Sequence, residues 1–226
     1  MKKIPPSDLV VLDDYAKDYP LRVDTVYAKA AHKDNMFKQA IYKPSAPMPC
    51  HVEFLPIILR ASVICHEQSG YYFELKDCLR PFEAQQKIID TEIVRAHPQW
   101  LEEPRLFSPP GKGGHPRGMA VDIILVEQNG NEIDMGTPFD YLTADKSDNP
   151  AARDYVNFGK CDETNRLILK NRALLTDAMR KAAQEEGREI IPLPQEWWDF
   201  RFPNEYTALF APVHDADLPL NLRMMR

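Results

Sequence analysis

The 226-residue chain lacks the patterns that define several common classes of protein. Its four cysteines contain no CxxC pair, which argues against a zinc site built from cysteines. Basic residues are not in excess: 28 Lys and Arg stand against 34 Asp and Glu, for a net charge of -6. Neither nucleic acid nor a membrane surface is therefore an expected partner. The most apolar stretch, residues 54–65, is interrupted by Pro56 and Arg60 and is too short to span a bilayer.

Three familiar catalytic signatures are also absent. Residues 111–114 lack the glycine spacing of a phosphate-binding loop, His66-Glu67 lacks the second histidine of the helical zinc proteases, and no Gly-x-Ser-x-Gly marks a serine hydrolase. Residues 1–8 lack the apolar core of a secretory signal. We therefore expect a cytoplasmic protein with free thiols, and a Cys65–Cys78 disulfide is the alternative if the chain is exported.

The order of apolar residues and turns predicts a mixture of helices and strands, and twenty prolines argue against an all-helical bundle. Asn129-Gly130 is a strong two-residue hairpin turn, so the sheet around it should be antiparallel. The remainder of residues 1–50 should wrap the core as loops. The predicted elements are a short strand at 9–12, helices from 54 to the stop at Gly70, from 82 to 96 and from 162 to 186, and strands at 71–77, 119–128, 131–135 and from 197 onward.

The segment from Gly111 to Val126 is a glycine-rich loop that runs into a strongly apolar strand. His115 precedes the strand and Asp122 lies within it. A carboxylate in such a strand needs a partner, because an unpaired buried charge is costly. The spacing alone favours a strand cap and an ion-paired core aspartate. The alternative is a metal ion shared by the two side chains, since imidazole nitrogen and carboxylate oxygen are ordinary zinc ligands.

Two more charged side chains stand at the ends of predicted strands. Arg80 lies at a strand-to-helix junction, where Pro81 suits the first turn of a helix. Such an arginine is more often an ion-paired residue than part of a site. Glu196 and Asp199 cannot point the same way in one regular strand, because side chains alternate with a period of two. Glu196 should therefore lie at the bend after Pro194, ahead of the strand.

Two of these segments, His115-Pro-Arg-Gly-Met-Ala-Val-Asp122 and Glu196-Trp-Trp198, together resemble the D-alanyl-D-alanine dipeptidases. This is the zinc DD-peptidase family that includes the vancomycin-resistance dipeptidase. Three further stretches match in the family's order: 79–81, 134–140 and 171–175. The resemblance implies an α+β fold of the Hedgehog/DD-peptidase type, in which helices pack a mainly antiparallel sheet around a metal cleft.

The resemblance also implies roles for particular residues. His115 and Asp122 correspond to two ligands of one zinc ion. Glu196 corresponds to the general base and acid, and Arg80 to the cation that stabilises the oxyanion. The chemistry suits these residue types, because the metal acidifies a water, a carboxylate moves its proton, and a guanidinium stabilises developing negative charge.

The sequence departs from the family pattern at two positions. Asp199 stands where the family has a histidine as the third zinc ligand, and we expect Asp199 to be the third ligand here. An oxygen-richer site shifts preference from zinc toward harder ions such as manganese. The rival interpretations are an aspartate that acts through water, or His214 as the missing ligand. Gly113 replaces a serine that could bind substrate, which weakens the expectation of strict D-Ala-D-Ala selectivity.

The sequence thus predicts a single metallopeptidase domain over 1–226, with an N-terminal wrapping segment (1–50), a catalytic core (51–203) and a C-terminal loop (204–226). Its expected activity is the metal-dependent hydrolysis of D-alanyl-D-alanine, a small dipeptide, to two D-alanines. The alternatives are a related peptidase for longer or L,D-linked stem peptides of peptidoglycan, and a binding protein that has lost catalysis. His32, His51, His66 and His97 are expected to be structural or surface residues, and the oligomeric state is left open.

Overall fold

A computed structural model describes residues 1–103 and 105–225 of the chain. The strands are β1 (Leu9–Val11), β2 (Leu21–Val23), β3 (Pro49–His51), β4 (Tyr72–Asp77), β5 (Ala120–Val126), β6 (Ile191–Pro192) and β7 (Asp199–Arg201). The helices are α1 (Leu55–Ser69), α2 (Phe82–Ile89), α3 (Glu92–Arg95), α4 (Asp162–Glu185) and α5 (Asn204–Thr207). None of the helices in these residues is long and apolar enough to cross a membrane.

Five strands form the main sheet in the order β2-β4-β5-β7-β6. The β2–β4 pair is parallel, and the other three pairs are antiparallel. All seven residues of β5 are buried, which agrees with the uninterrupted apolar run in this part of the sequence. The structure therefore confirms the predicted α+β class and its mainly antiparallel sheet. β1 and β3 form a separate two-stranded sheet.

Two long helices supply the apolar layer that covers the sheet. α1 packs against both α4 and β4. It ends at Gly70, which adopts the left-handed conformation (φ +74°) and donates its N–H to the carbonyl of His66. α4 begins at Asp162 and ends just before Gly187, close to the predicted limits.

Two predicted elements differ in the structure. The helix predicted over 82–96 is divided into α2 and α3 because Thr91 is extended and its hydroxyl donates to the carbonyl of Ile88 (2.6 Å). The turn at Asn129-Gly130 is present, but residues 131–135 form only one bridge, between Val126 and Glu132. Side chains of α4 instead bond the carbonyls that a second strand would use: Asn171 donates to Asp134 and Arg172 to Met135.

The N-terminal residues take part in the sheet as well as covering it. β1 forms at Leu9–Val11, as predicted. The expectation that the rest of residues 1–50 are loops is wrong, because β2 is an edge strand of the main sheet. A three-residue strand with a charged middle residue, Arg22, gives too short an alternation to be recognised from sequence.

Candidate active site

His115 lies in a tight turn whose backbone is fixed on both sides. It begins the 3₁₀ turn His115–Arg117, which ends at Gly118 in the left-handed conformation (φ +63°). Arg117 holds the preceding glycine-rich loop by donating to the carbonyls of Gly111 and Gly113, both at 2.9 Å. The Nδ1 atom of His115 is 2.8 Å from the carbonyl oxygen of Cys78. That bond orients the ring and leaves Nε2 to face the other side chains of the site.

The pairing of β5 with β7 brings two of the predicted ligands together. Asp122 and Asp199 are direct partners in the antiparallel register, and both are buried. The Nε2 atom of His115 lies 3.5 Å from Oδ1 of Asp122 and 3.3 Å from Oδ2 of Asp199. Residues that are separated by 84 positions in the chain thus share one small volume.

Glu196 reaches the same place from the turn that precedes β7, as its predicted position before the strand requires. One oxygen from each of Asp122, Glu196 and Asp199 lies within 4.8 Å of the other two. All three line a cavity of about 80 Å³, together with His115 and Arg80. One wall of the cavity is formed by residues 105–108 and 112–114.

Arg80 is held at the edge of the site by charged and aromatic neighbours. Its Nε donates to Oδ2 of Asp77 (2.7 Å), its Nη2 is 3.5 Å from Oδ2 of Asp122, and its guanidinium lies 5.5 Å from the ring centroid of Tyr27. Asp77 ends β4 and is paired with Asp122 in the sheet. These contacts aim the guanidinium at the cavity and restrict its rotation.

The electrostatics of the cluster follow from burial and close charges. Burial disfavours the imidazolium, but the carboxylates of Asp122 and Asp199 outweigh that effect and raise the pKa of His115 to about 10. Burial would raise the pKa of Asp199, yet the guanidinium of Arg201 and the imidazole hold it below its ordinary value. Burial and the charges of Asp199 and Asp122 raise the pKa of Glu196 well above its usual range.

The donor set fits a divalent metal ion. Ligand atoms about 2.0–2.1 Å from a tetrahedral ion are roughly 3.3 Å from one another, which agrees with the spacings from His115 to Asp122 and Asp199. The Oδ1 atom of Asp122 is buried and accepts no hydrogen bond from any described residue. An ion at this point would give that oxygen a partner, and a buried polar atom without one is costly.

Some predicted residues lie apart from the site. Oε1 of Glu83 accepts a hydrogen bond from Nδ1 of His214 (2.7 Å), the His214 ring lies 5.0 Å from that of Phe82, and His214 does not line the cavity. His214 is therefore not positioned to be the third ligand. Cys65 and Cys78 are both free, so the alternative of a disulfide between them is wrong.

Three residues of the site have no counterpart in the sequence-based prediction: Asp77, Asp140 and Arg201. Asp77 ends a predicted strand, and Arg201 follows Asp199 at the strand period of two. The sequence pattern could therefore have indicated both residues as neighbours of the site. Asp140 ends the 134–140 stretch that resembles the family, but it lies in a loop at a positive φ of 58°, where no periodic pattern marks a site residue. Its Oδ2 accepts a hydrogen bond from the hydroxyl of Tyr27 (2.5 Å), and burial raises the pKa of Asp140 to about 7.

The cluster brings together imidazole, carboxylate and guanidinium groups, which are the types of group that a metal-dependent peptidase requires. The chain belongs to the peptidase family described as D-ala-D-ala dipeptidase, which it matches over residues 7–216. It is similar to the D-alanyl-D-alanine dipeptidase of Escherichia coli (strain K12), with 28% identity over 203 residues and 87% of each chain covered. Among solved structures, the chain is similar to the Serratia marcescens L-Ala D-Glu endopeptidase ChiX, with 15% identity, a TM-score of 0.38, and 70% of this chain and 84% of that one covered.

Proposed function

We propose that this protein is a metal-dependent dipeptidase that hydrolyses D-alanyl-D-alanine to two molecules of D-alanine. The observation that carries the proposal is the meeting of His115, Asp122, Asp199 and Glu196 at one cavity of a chain in the D-ala-D-ala dipeptidase family. The name of the E. coli relative supports the substrate.

His115, Asp122 and Asp199 would hold the metal, which we expect to be zinc or, given the two carboxylates, manganese. When bound, the ion supplies a Lewis acid that polarises the scissile carbonyl and makes water more acidic. His115 contributes a fixed nitrogen because its other ring nitrogen is tied to Cys78.

Glu196 acts as the general base and then as the general acid. Its carboxylate accepts a proton from the attacking water and delivers that proton to the nitrogen of the leaving D-alanine. A raised pKa suits this task, because the group must hold the proton between the two steps. The half-buried position of Glu196 in the turn before β7 leaves its carboxylate free to face the substrate.

Arg80 stabilises the negative charge that develops on the carbonyl oxygen. Asp77 holds its Nε, so the remaining guanidinium hydrogens can point into the cavity without reorganisation. A non-catalytic binding protein would have little use for this arrangement. The presence of both Arg80 and Glu196 at the cavity therefore favours catalysis.

The test is the release of free D-alanine from D-Ala-D-Ala by the purified protein, supplied in turn with zinc, with manganese and with a chelator. Glu196→Gln should lower turnover by between about 10²- and 10⁴-fold while it leaves bound metal unchanged. Glu189→Gln is the matched control, because Glu189 is exposed and outside the cavity. If the protein hydrolyses only longer or L,D-linked peptides, its substrate is a stem peptide of peptidoglycan and not D-Ala-D-Ala. If it hydrolyses no peptide with any metal, the interpretation as a binding protein is favoured.

A further inference from the structure

Both carboxylate oxygens of Asp199 accept hydrogen bonds from a neighbouring arginine, Arg201. Arg201 lies two positions further along β7, on the same face of the strand. Its Nε donates to Oδ1 of Asp199 (2.7 Å), and its Nη2 donates to Oδ2. The Asp199 side chain is 1% exposed and that of Arg201 is 13% exposed. Two parallel bonds of this type fix the carboxylate in orientation as well as in charge.

The surrounding backbone leaves room for the guanidinium. Arg201 is paired with Ala120 of β5, whose side chain is only a methyl group. Gly113 lies on the Nη1 side of the guanidinium, where an added Cβ would be 3.6 Å from Nη1, an ordinary contact distance. Nη1 makes no hydrogen bond to the residues that the structure describes. Among the described residues, Asp199 is thus the one carboxylate that Arg201 hydrogen-bonds.

The charges of the cluster then divide into pairs. Asp77 is hydrogen-bonded by Arg80 and Asp199 by Arg201, whereas Oδ1 of Asp122 accepts no hydrogen bond from a described residue and has the His115 ring 3.5 Å away. The Asp199–Arg201 pair as a whole carries no net charge, and Oδ2 of Asp199 keeps a lone pair for a third group. A divalent cation would meet the Asp122 oxygen that lacks a hydrogen bond, the imidazole of His115, and a carboxylate already paired with a guanidinium.

We propose that Arg201 is a positioning residue that makes Asp199 a fixed and electrically compensated ligand for the divalent cation. This inference rests on the proposed function only in taking Asp199 as a ligand. It predicts that the effects of substituting Asp199 and Arg201 on zinc affinity are not additive. If Asp199 becomes a neutral side chain while Arg201 stays, the guanidinium is left uncompensated beside the cation and repels it.

The test is a set of four proteins: wild type, Asp199→His, Arg201→Met and the double variant. The measured quantity is the dissociation constant for Zn²⁺ alone, obtained by competition with a chelator. We expect Asp199→His to weaken zinc binding by at least about tenfold, through repulsion by the uncompensated guanidinium. Adding Arg201→Met should restore most of that loss. Equal affinity of the single and double histidine variants would overturn the proposal, because Arg201 would then not act through residue 199.

The same comparison with Asp199→Asn covers the case in which the histidine variants fail to fold, since asparagine has the shape of aspartate. Asp199→Asn should bind zinc more weakly than Asp199→Asn/Arg201→Met, and the reverse order would contradict the proposal. Thermal melting of the metal-free proteins checks folding. If the zinc dissociation constants follow the predicted order but the wild type does not hydrolyse D-Ala-D-Ala, the proposed function alone is overturned. If the wild type hydrolyses D-Ala-D-Ala but the zinc dissociation constants do not follow the predicted order, the role of Arg201 alone is overturned.

Discussion

Replacing Lys76 with methionine should be one of the most destabilising single changes in this protein. Lys76 lies in β4 and its side chain is 0% exposed. Its ammonium group contacts Oδ2 of Asp24 and of Asp34, both at 2.8 Å, and Oε1 of Glu74 at 2.7 Å. Burial would lower the pKa of Lys76, but these carboxylates raise it above its ordinary value, so the group is charged. It joins loops of the N-terminal segment to the central sheet.

The size of the effect follows from what the methionine leaves behind. Three carboxylates would face one another without a cation, and breaking a buried ion pair from one side costs about 3–5 kcal/mol. The carboxylate side chains are 28%, 11% and 16% exposed, so water relieves part of that cost. We therefore expect a loss of about 3 kcal/mol in the free energy of unfolding.

Urea denaturation of the metal-free protein measures this loss directly. Lys33→Met is the matched control, because Lys33 pairs with Glu132 but its side chain is 67% exposed. An exposed pair contributes at most about 1 kcal/mol. If Lys76→Met lost no more stability than Lys33→Met, the assignment of Lys76 as the charged link between the sheet and the N-terminal segment would be refuted.

Three further predictions concern the backbone, the pH response and the metal. Gly118→Ala should cost about 2 kcal/mol or more, because φ is +63° and a Cβ would lie 2.9 Å from the backbone nitrogen of His51. Gly187→Ala, with the same φ and open space, isolates the cost of that contact, and urea denaturation that found equal losses would contradict it. Burial raises the pKa of Asp140 to about 7, so the folded chain retains a proton that the unfolded chain releases above about pH 4, and stability falls as pH rises between these values. The stability gained by Asp140→Asn, measured on metal-free protein, should therefore be larger at pH 8 than at pH 5 by about 3 kcal/mol, because about two pH units of the shift lie between these values. Equal gains at the two pH values would argue against a buried carboxyl that retains its proton. Chelation should lower the melting temperature, since an ion at one hundred times its Kd stabilises the folded state by about 2.7 kcal/mol, and a melting temperature independent of added zinc would count against the metal site.

Local sequence determined where most of the site residues lie along the elements. Glycines on both sides of His115 and the apolar run around Asp122 are properties of adjacent residues, so a loop followed by a buried strand could be predicted. The bend after Pro194 placed Glu196 ahead of β7, as the structure has it. The resemblance to the dipeptidases then linked segments that no local pattern connects, and the family match agrees with it.

Only the tertiary structure decided which of these elements are neighbours. The period of a strand says which face a side chain occupies but not which strand pairs with it, because strand order is set by contacts distant in the chain. The pairing of β5 with both β4 and β7 therefore brought Asp77, Asp122 and Asp199 together, and it left His214 outside the cavity. The two hydrogen bonds from Arg201 to Asp199 depend on the side-chain rotamers of both residues, which are not visible in the order of residues.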